Sequence, residues 1–127
     1  MLPYSKMERP QDQYFLMRGR DVHDFAGTQG VAVVEELLAE HGIDRKDVAF
    51  VVPHQANITV LHAIAEKLSM PFSKFAVTLD RYGNTAAASV LIAFDDLITS
   101  GRAKPGDLIV LVAFGGGLSW AATLIRL

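Results

Sequence analysis

The apolar positions change period several times along this chain, and each change marks an element. Tyr14, Phe15, Leu16 and Met17 form a short apolar run of strand length, followed by Gly19, which suits a turn or a close backbone approach. From Asp21 the period lengthens. Val22, Phe25, Ala26, Val33, Val34, Leu37 and Leu38 fall on one helical face, with Asp21 at the cap or first turn and Gly42 after His41 as the stop. Gly27 and Gly30 interrupt this pattern, and each weakens a helix by up to ~1 kcal/mol relative to alanine. Either the helix breaks there or a neighbour packs very close. Residues 48–52 are an unbroken apolar run stopped by Pro53, a second strand. A helix follows over 58–68, with Leu61, Ile64, Ala65 and Leu68 inward, Glu66 and Lys67 outward, and Pro71 beyond its end.

Residues 75–79 read as a third strand. Gly83 is a loop residue, and Asn84 or Thr85 can cap a helix whose turns over 86–94 are apolar on all sides, as in a helix buried all round. Gly101 closes it, and residues 104–107, Lys-Pro-Gly-Asp, form a turn. Residues 108–125 carry no charge, close to the length of a membrane span. Gly115, Gly116 and Gly117 divide them into two halves rich in β-formers, so two buried strands joined by a glycine turn are expected instead.

The order βαβαβαββ predicts an α/β fold, a mixed and mostly parallel sheet of about five strands with helices on both faces. A length of 127 residues suits one domain, drawn at 14–127 behind an irregular polar leader at 1–13 that has no signal-peptide core. Composition adds exclusions. Net charge is −2, which gives no pull toward nucleic acid or an anionic membrane. There is no cysteine, which removes disulfides, thiolate metal sites and a cysteine nucleophile, and fits a cytoplasmic protein. Histidines and carboxylates form no ordered ligand pattern, and neither GxGxxG nor GxxxxGK[ST] is present, so no metal and no cofactor is expected.

The chemistry gathers at His54 and Asn84. Each is expected between a strand end and a helix start, on the edge where parallel sheets place ligands. Neutral imidazole and carboxamide both donate hydrogen bonds, and two donors aimed at one point suit a thioester oxygen that becomes an enolate. The N-terminus of the helix over 58–68 disfavours imidazolium nearby. The glycines at 115–117 can present backbone amides to a second oxyanion. Taken singly, His54 is an ordinary strand-end residue, Asn84 a helix cap and the glycines a turn. His23, His41 and His62 are surface or boundary residues.

HQAN after a strand, GNT thirty residues beyond the histidine and FGGG before a last strand resemble the C-terminal half of β-ketoacyl-acyl-carrier-protein synthase III, in the thiolase superfamily. The likeness runs over about 14–127. It implies a decarboxylative condensation of a cysteine-held acyl group with malonyl-carrier protein, giving a 3-oxoacyl thioester. His54 and Asn84 match the catalytic histidine and asparagine, and Gly116 matches an oxyanion-hole glycine. Asn57 and Gly19 match positions that touch the pantetheine arm, and Phe114 lies beside the site. The implied partners are acyl-carrier protein, acyl-CoA thioesters and an N-terminal half that carries the cysteine. A homodimer is expected, and this chain alone is expected not to run the full condensation. A lone half is also expected to dimerise or aggregate through the surface that its other half covers. Thr59 stands where the family often has an arginine, and His23 where a phenylalanine is common, which weakens carrier docking through that helix; Lys67, Arg18 and Arg20 are the remaining basic candidates. The competing reading is a non-catalytic half-domain acting as partner or scaffold, or an acyltransferase relative that does not condense.

Overall fold

The computed structural model describes residues 19–116 and 119–127, with side chains from residue 27 onward. The leader at 1–13, the strand at 14–17 and the side chains of Val22, His23, Phe25 and Ala26 lie outside the described residues.

Helix α1 (Gly19–Glu40) begins two residues before the expected start and runs unbroken through both internal glycines. Of the two, only Gly27 has a tight neighbour; Gly30 is in ordinary contact. A Cβ on Gly27 would stand 3.2 Å from Nζ of Lys67, in helix α2 (Ile58–Lys67), and one on Gly30 would stand 3.9 Å from the Phe114 ring. The helix stops as its sequence dictates. Gly42 takes φ 63°, its N–H donates to Ala39 O at 3.1 Å, and Ile43 N–H donates to Leu38 O at 2.9 Å.

Strands β1 (Val48–Pro53), β2 (Leu108–Gly115) and β3 (Ser119–Arg126) form a sheet in that order, β1 parallel to β2 and β2 antiparallel to β3. β1 takes in Pro53, one residue beyond the expected stop. Side chains alternate across the sheet. Val110, Val112 and Phe114 of β2 join Val34 and Leu38 of α1 and Val60 and Ile64 of α2 on one face. Ile109 and Leu111 face the other way, onto Val90, Ala93 and Leu97. Those three belong to helix α4 (Ser89–Thr99); the one-turn helix α3 (Leu79–Tyr82) precedes it. The sheet is therefore mixed with helices on both faces.

Two expectations are revised. In this chain taken alone the helix over 86–94 is not covered all round: residues 86–88 are an exposed 3-10 turn, α4 starts at Ser89, and Leu91 is 66% exposed, on the surface that a lone half is expected to leave open. Only the stripe of Val90, Ala93 and Leu97 meets the sheet, and α4 lies over β1 and β2 while Ala113, Ala121 and Thr123 stay exposed.

The third strand, at 75–79, reduces to one parallel bridge between Val51 and Phe75, with Ala76 N–H donating to Val51 O at 2.9 Å. The next rung of a parallel ladder needs an N–H from residue 53, and Pro53 has none. The Gln55 side chain takes the place of that rung. Its Nε2 donates to Ala76 O at 3.1 Å and to Pro53 O at 2.8 Å, and its Oε1 accepts from Thr78 N–H at 2.9 Å. Three strands, rather than five, stand among the described residues. No helix among them is long and apolar enough to cross a membrane.

Candidate active site

The polar cluster after β1 is built on Gln55. Its side chain is fully buried, and all of its polar capacity toward the main chain is matched as described above. Burying an amide is favourable only with such complete pairing. It holds the turn in which Ala56 N–H donates to His54 O at 2.9 Å. His54 N–H in turn donates to Val112 O at 2.8 Å, which extends the β1–β2 pairing by one residue. The imidazole is half-buried and stands edge-on to Phe114, with centroids 5.1 Å apart and an interplanar angle of 88°. Its Nδ1 lies 2.6 Å from Ser89 Oγ.

Burial lowers the His54 pKa from its ordinary value, and a hydrogen bond with the Ala86 backbone partly offsets this. The direction is the expected one, and desolvation is its largest cause. The shift favours the neutral ring.

Asn84 does not follow a strand, as the sequence pattern suggested; it follows α3 and Gly83. Gly83 sits at φ 65°, ψ −157°, a conformation open essentially to glycine alone. Asn84 Oδ1 accepts from Ala86 N–H at 2.9 Å, an Asx turn that helps Ala86 hold its positive φ of 51°. With the oxygen so engaged, the exposed Nδ2 is the donor end of the amide. It donates to Ala56 O at 3.4 Å, tying this loop to the His54 loop. His54 and Asn84 therefore come from adjoining loops at one end of the sheet, as expected.

The remaining residues fall as follows. Phe114 is buried beside His54 and near Gly30. Asn57 is exposed and caps α2, its Oδ1 accepting from Val60 N–H at 2.9 Å. Gly116 lies in the exposed turn after β2, with open space where a Cβ would stand, and its carbonyl accepts from Ser119 Oγ at 3.3 Å. Gly117 lies outside the described residues, and Gly19 is known only as the first residue of α1. His41 bonds to Leu37 O, and His62 stacks on Phe72, both exposed. Ser89 was not singled out from the sequence. The signal was present as a lone hydroxyl between three alanines and an apolar helix.

Residues 38–127 match the family model for the C-terminal region of 3-oxoacyl-[acyl-carrier-protein] synthase III. A relative from Sodalis glossinidius, beta-ketoacyl-[acyl-carrier-protein] synthase III, is 43% identical over 126 residues, covering 98% of this chain and 40% of its own length. The crystal structure of 3-oxoacyl-[acyl-carrier-protein] synthase III from Aquifex aeolicus superposes with a TM-score of 0.89 at 42% identity, over 93% of this chain and 38% of that one. The priming β-ketosynthase of the R1128 polyketide pathway reaches the same TM-score at 29% identity, over 99% of this chain and 39% of that one. The chain spans about two-fifths of the length of the curated relatives it matches. With its thiolase-like α/β architecture and its motifs in place, the chain belongs to the 3-oxoacyl-[acyl-carrier-protein] synthase III family and carries that family's C-terminal region.

Proposed function

We propose that residues 14–127 are the C-terminal catalytic half of a 3-oxoacyl-acyl-carrier-protein synthase III that makes a 3-oxoacyl thioester in fatty-acid or polyketide synthesis. The observation that carries this reading is the anchoring of both candidate donors. Asn84 has its oxygen engaged by Ala86 N–H and its amide nitrogen on Ala56 O, with a second amide proton left to give, and His54 is a half-buried ring on the adjoining loop whose burial favours the neutral form. Two neutral donors suit a developing enolate oxygen and leave an incoming carboxylate unpaired.

In the reaction, the bond between the malonyl α-carbon and its carboxylate breaks and carbon dioxide departs. The electron pair remains as an enolate whose oxygen accepts hydrogen bonds from His54 and Asn84. The enolate carbon then attacks the acyl thioester on a cysteine supplied by the N-terminal half. The tetrahedral oxyanion is held by the Gly116 amide until the cysteine thiolate leaves. Phe114 closes the side of the imidazole, while Asn57 and Gly19 line the approach of the pantetheine arm. On this reading the substrates are acyl-CoA and malonyl-carrier-protein thioesters, and the whole enzyme is a cytoplasmic homodimer. The kind of substrate is supported by the names of the relatives.

Replacing His54 or Asn84 with alanine in the whole enzyme is expected to slow malonyl decarboxylation on the order of 10²–10³-fold, the usual loss for one oxyanion donor. Acylation of the cysteine, read by mass spectrometry, is expected to survive. Condensation untouched by both substitutions would sink the proposal.

A further inference from the structure

Ser89 is the first residue of α4 and is 1% exposed. Its hydroxyl meets two groups, Gln55 N–H at 3.1 Å and His54 Nδ1 at 2.6 Å. A hydroxyl has one proton to give and lone pairs with which to accept. The Gln55 amide can only donate, so it takes a lone pair of Oγ. No carbonyl is bonded to this hydroxyl among the described residues, so Nδ1 is the one group placed to accept its proton. The opposite assignment, with Nδ1–H donating to Oγ, leaves a buried hydroxyl proton without an acceptor, which folded proteins avoid.

We propose that Ser89 is a positioning residue that fixes His54 as the neutral Nε2–H tautomer, so that the ring nitrogen not held by Ser89 is a hydrogen-bond donor. This rests on the enolate reading for its purpose, though not for its geometry. A neutral imidazole in the other tautomer would present a lone pair to the thioester oxygen and repel the enolate. Ser89 sits 35 residues from His54 in sequence and directly follows the turn at 86–88. The same short helix start therefore sets the character of one donor and follows directly on the turn that sets the other.

The test is nitrogen-15 spectroscopy of the whole protein labelled in its histidine rings, at a pH above the ordinary imidazole range. The His54 signals are assigned by their loss in His54→Gln. The expected pattern is a pyridine-type Nδ1 and a pyrrole-type Nε2; a pyrrole-type Nδ1 overturns the proposal. In Ser89→Ala the single-tautomer pattern is expected to give way to a mixture. The decarboxylation rate should fall about tenfold at unchanged KM, less than the ~10²–10³ lost with a donor itself. Ser89→Thr, which keeps the hydroxyl, is expected to recover the pattern and most of the rate. A folded Ser89→Ala protein that keeps both pattern and rate also overturns the proposal. Should Ser89→Ala fail to fold, the wild-type spectrum still decides. An Nε2–H ring combined with full activity of His54→Ala would leave the tautomer assignment standing and remove the enolate reading alone.

Discussion

His54 and Asn84 leave the fold on two loops that touch but are made differently. The His54 loop is pinned from beneath. Gln55 is wholly buried, makes three side-chain hydrogen bonds to the main chain, and donates its own N–H to Ser89 Oγ. The Asn84 loop lies on the surface, and residues 86–88 are exposed. Its shape comes from inside itself, through the glycine-only conformation at 83, the Asx turn at 84 and the positive φ at Ala86. Its bonds to the other loop are the long one from Asn84 Nδ2 to Ala56 O and the one between the Ala86 backbone and the His54 ring. One donor is thus held by long-range burial and the other by local turn chemistry. Damage to the first should spread into global stability, and damage to the second should stay close to the site.

Replacing Gln55 with leucine should have the largest effect on stability. It leaves Thr78 N–H, Ala76 O and Pro53 O without their partner, and each buried unpaired group costs about 1–3 kcal/mol. A loss of about 3 kcal/mol or more is expected in urea unfolding of the whole protein; a change within about 0.5 kcal/mol would mean that water satisfies the site and that the loop is not held from beneath.

Gly83→Ala comes next. Adding a Cβ at φ 65°, ψ −157° costs about 1–3 kcal/mol if the backbone keeps its shape, although nothing crowds the new atom. The loop is expected to relax instead, so the decarboxylation rate falls with little change in the unfolding midpoint. A large drop in midpoint at full rate would reverse the comparison.

The smallest effect belongs to the half-buried ring. The folded pKa of His54 is lowered by burial from 6.5, so the unfolded chain binds more protons just below that value. The stability from a neutral His54 is fully present above about pH 6.5 and is lost as pH falls through the lowered folded value. Denaturant midpoints compared between the wild type and His54→Gln should diverge in that acid window. Parallel curves would remove burial as the cause.

Much of this was legible because the signals were periodic or chemical. The stripes of α1 and α2, the Gly42 stop, the turn at 104–107 and the glycine-joined hairpin of β2 and β3 follow from side-chain spacing and turn chemistry. His54 and Asn84 were found by residue type and motif. What was not legible depends on contacts across distance. The apolar run Phe75–Ala76–Val77 has strand composition, but its fate is decided by a proline 22 residues earlier that cannot donate to it. The alanines before α4 look like core, yet exposure depends on what lies over them, and no periodicity carries that. Ser89 was overlooked because its meaning lies in the geometry of two partners 34 and 35 residues away.

The outer edge of β1 gives the Gln55 side chain a second significance. Among the described residues, three main-chain oxygens along that edge are already taken. Val48 O accepts from Lys74 Nζ at 2.6 Å, Val51 O from the Ala76 amide and Pro53 O from Gln55. Pro53 offers no proton to an incoming chain. An open strand border invites pairing with foreign strands and, from there, fibrils. Here an ammonium, one peptide group and one carboxamide close the border, so the sheet can end in the exposed loops that carry His54 and Asn84 without presenting a template for aggregation.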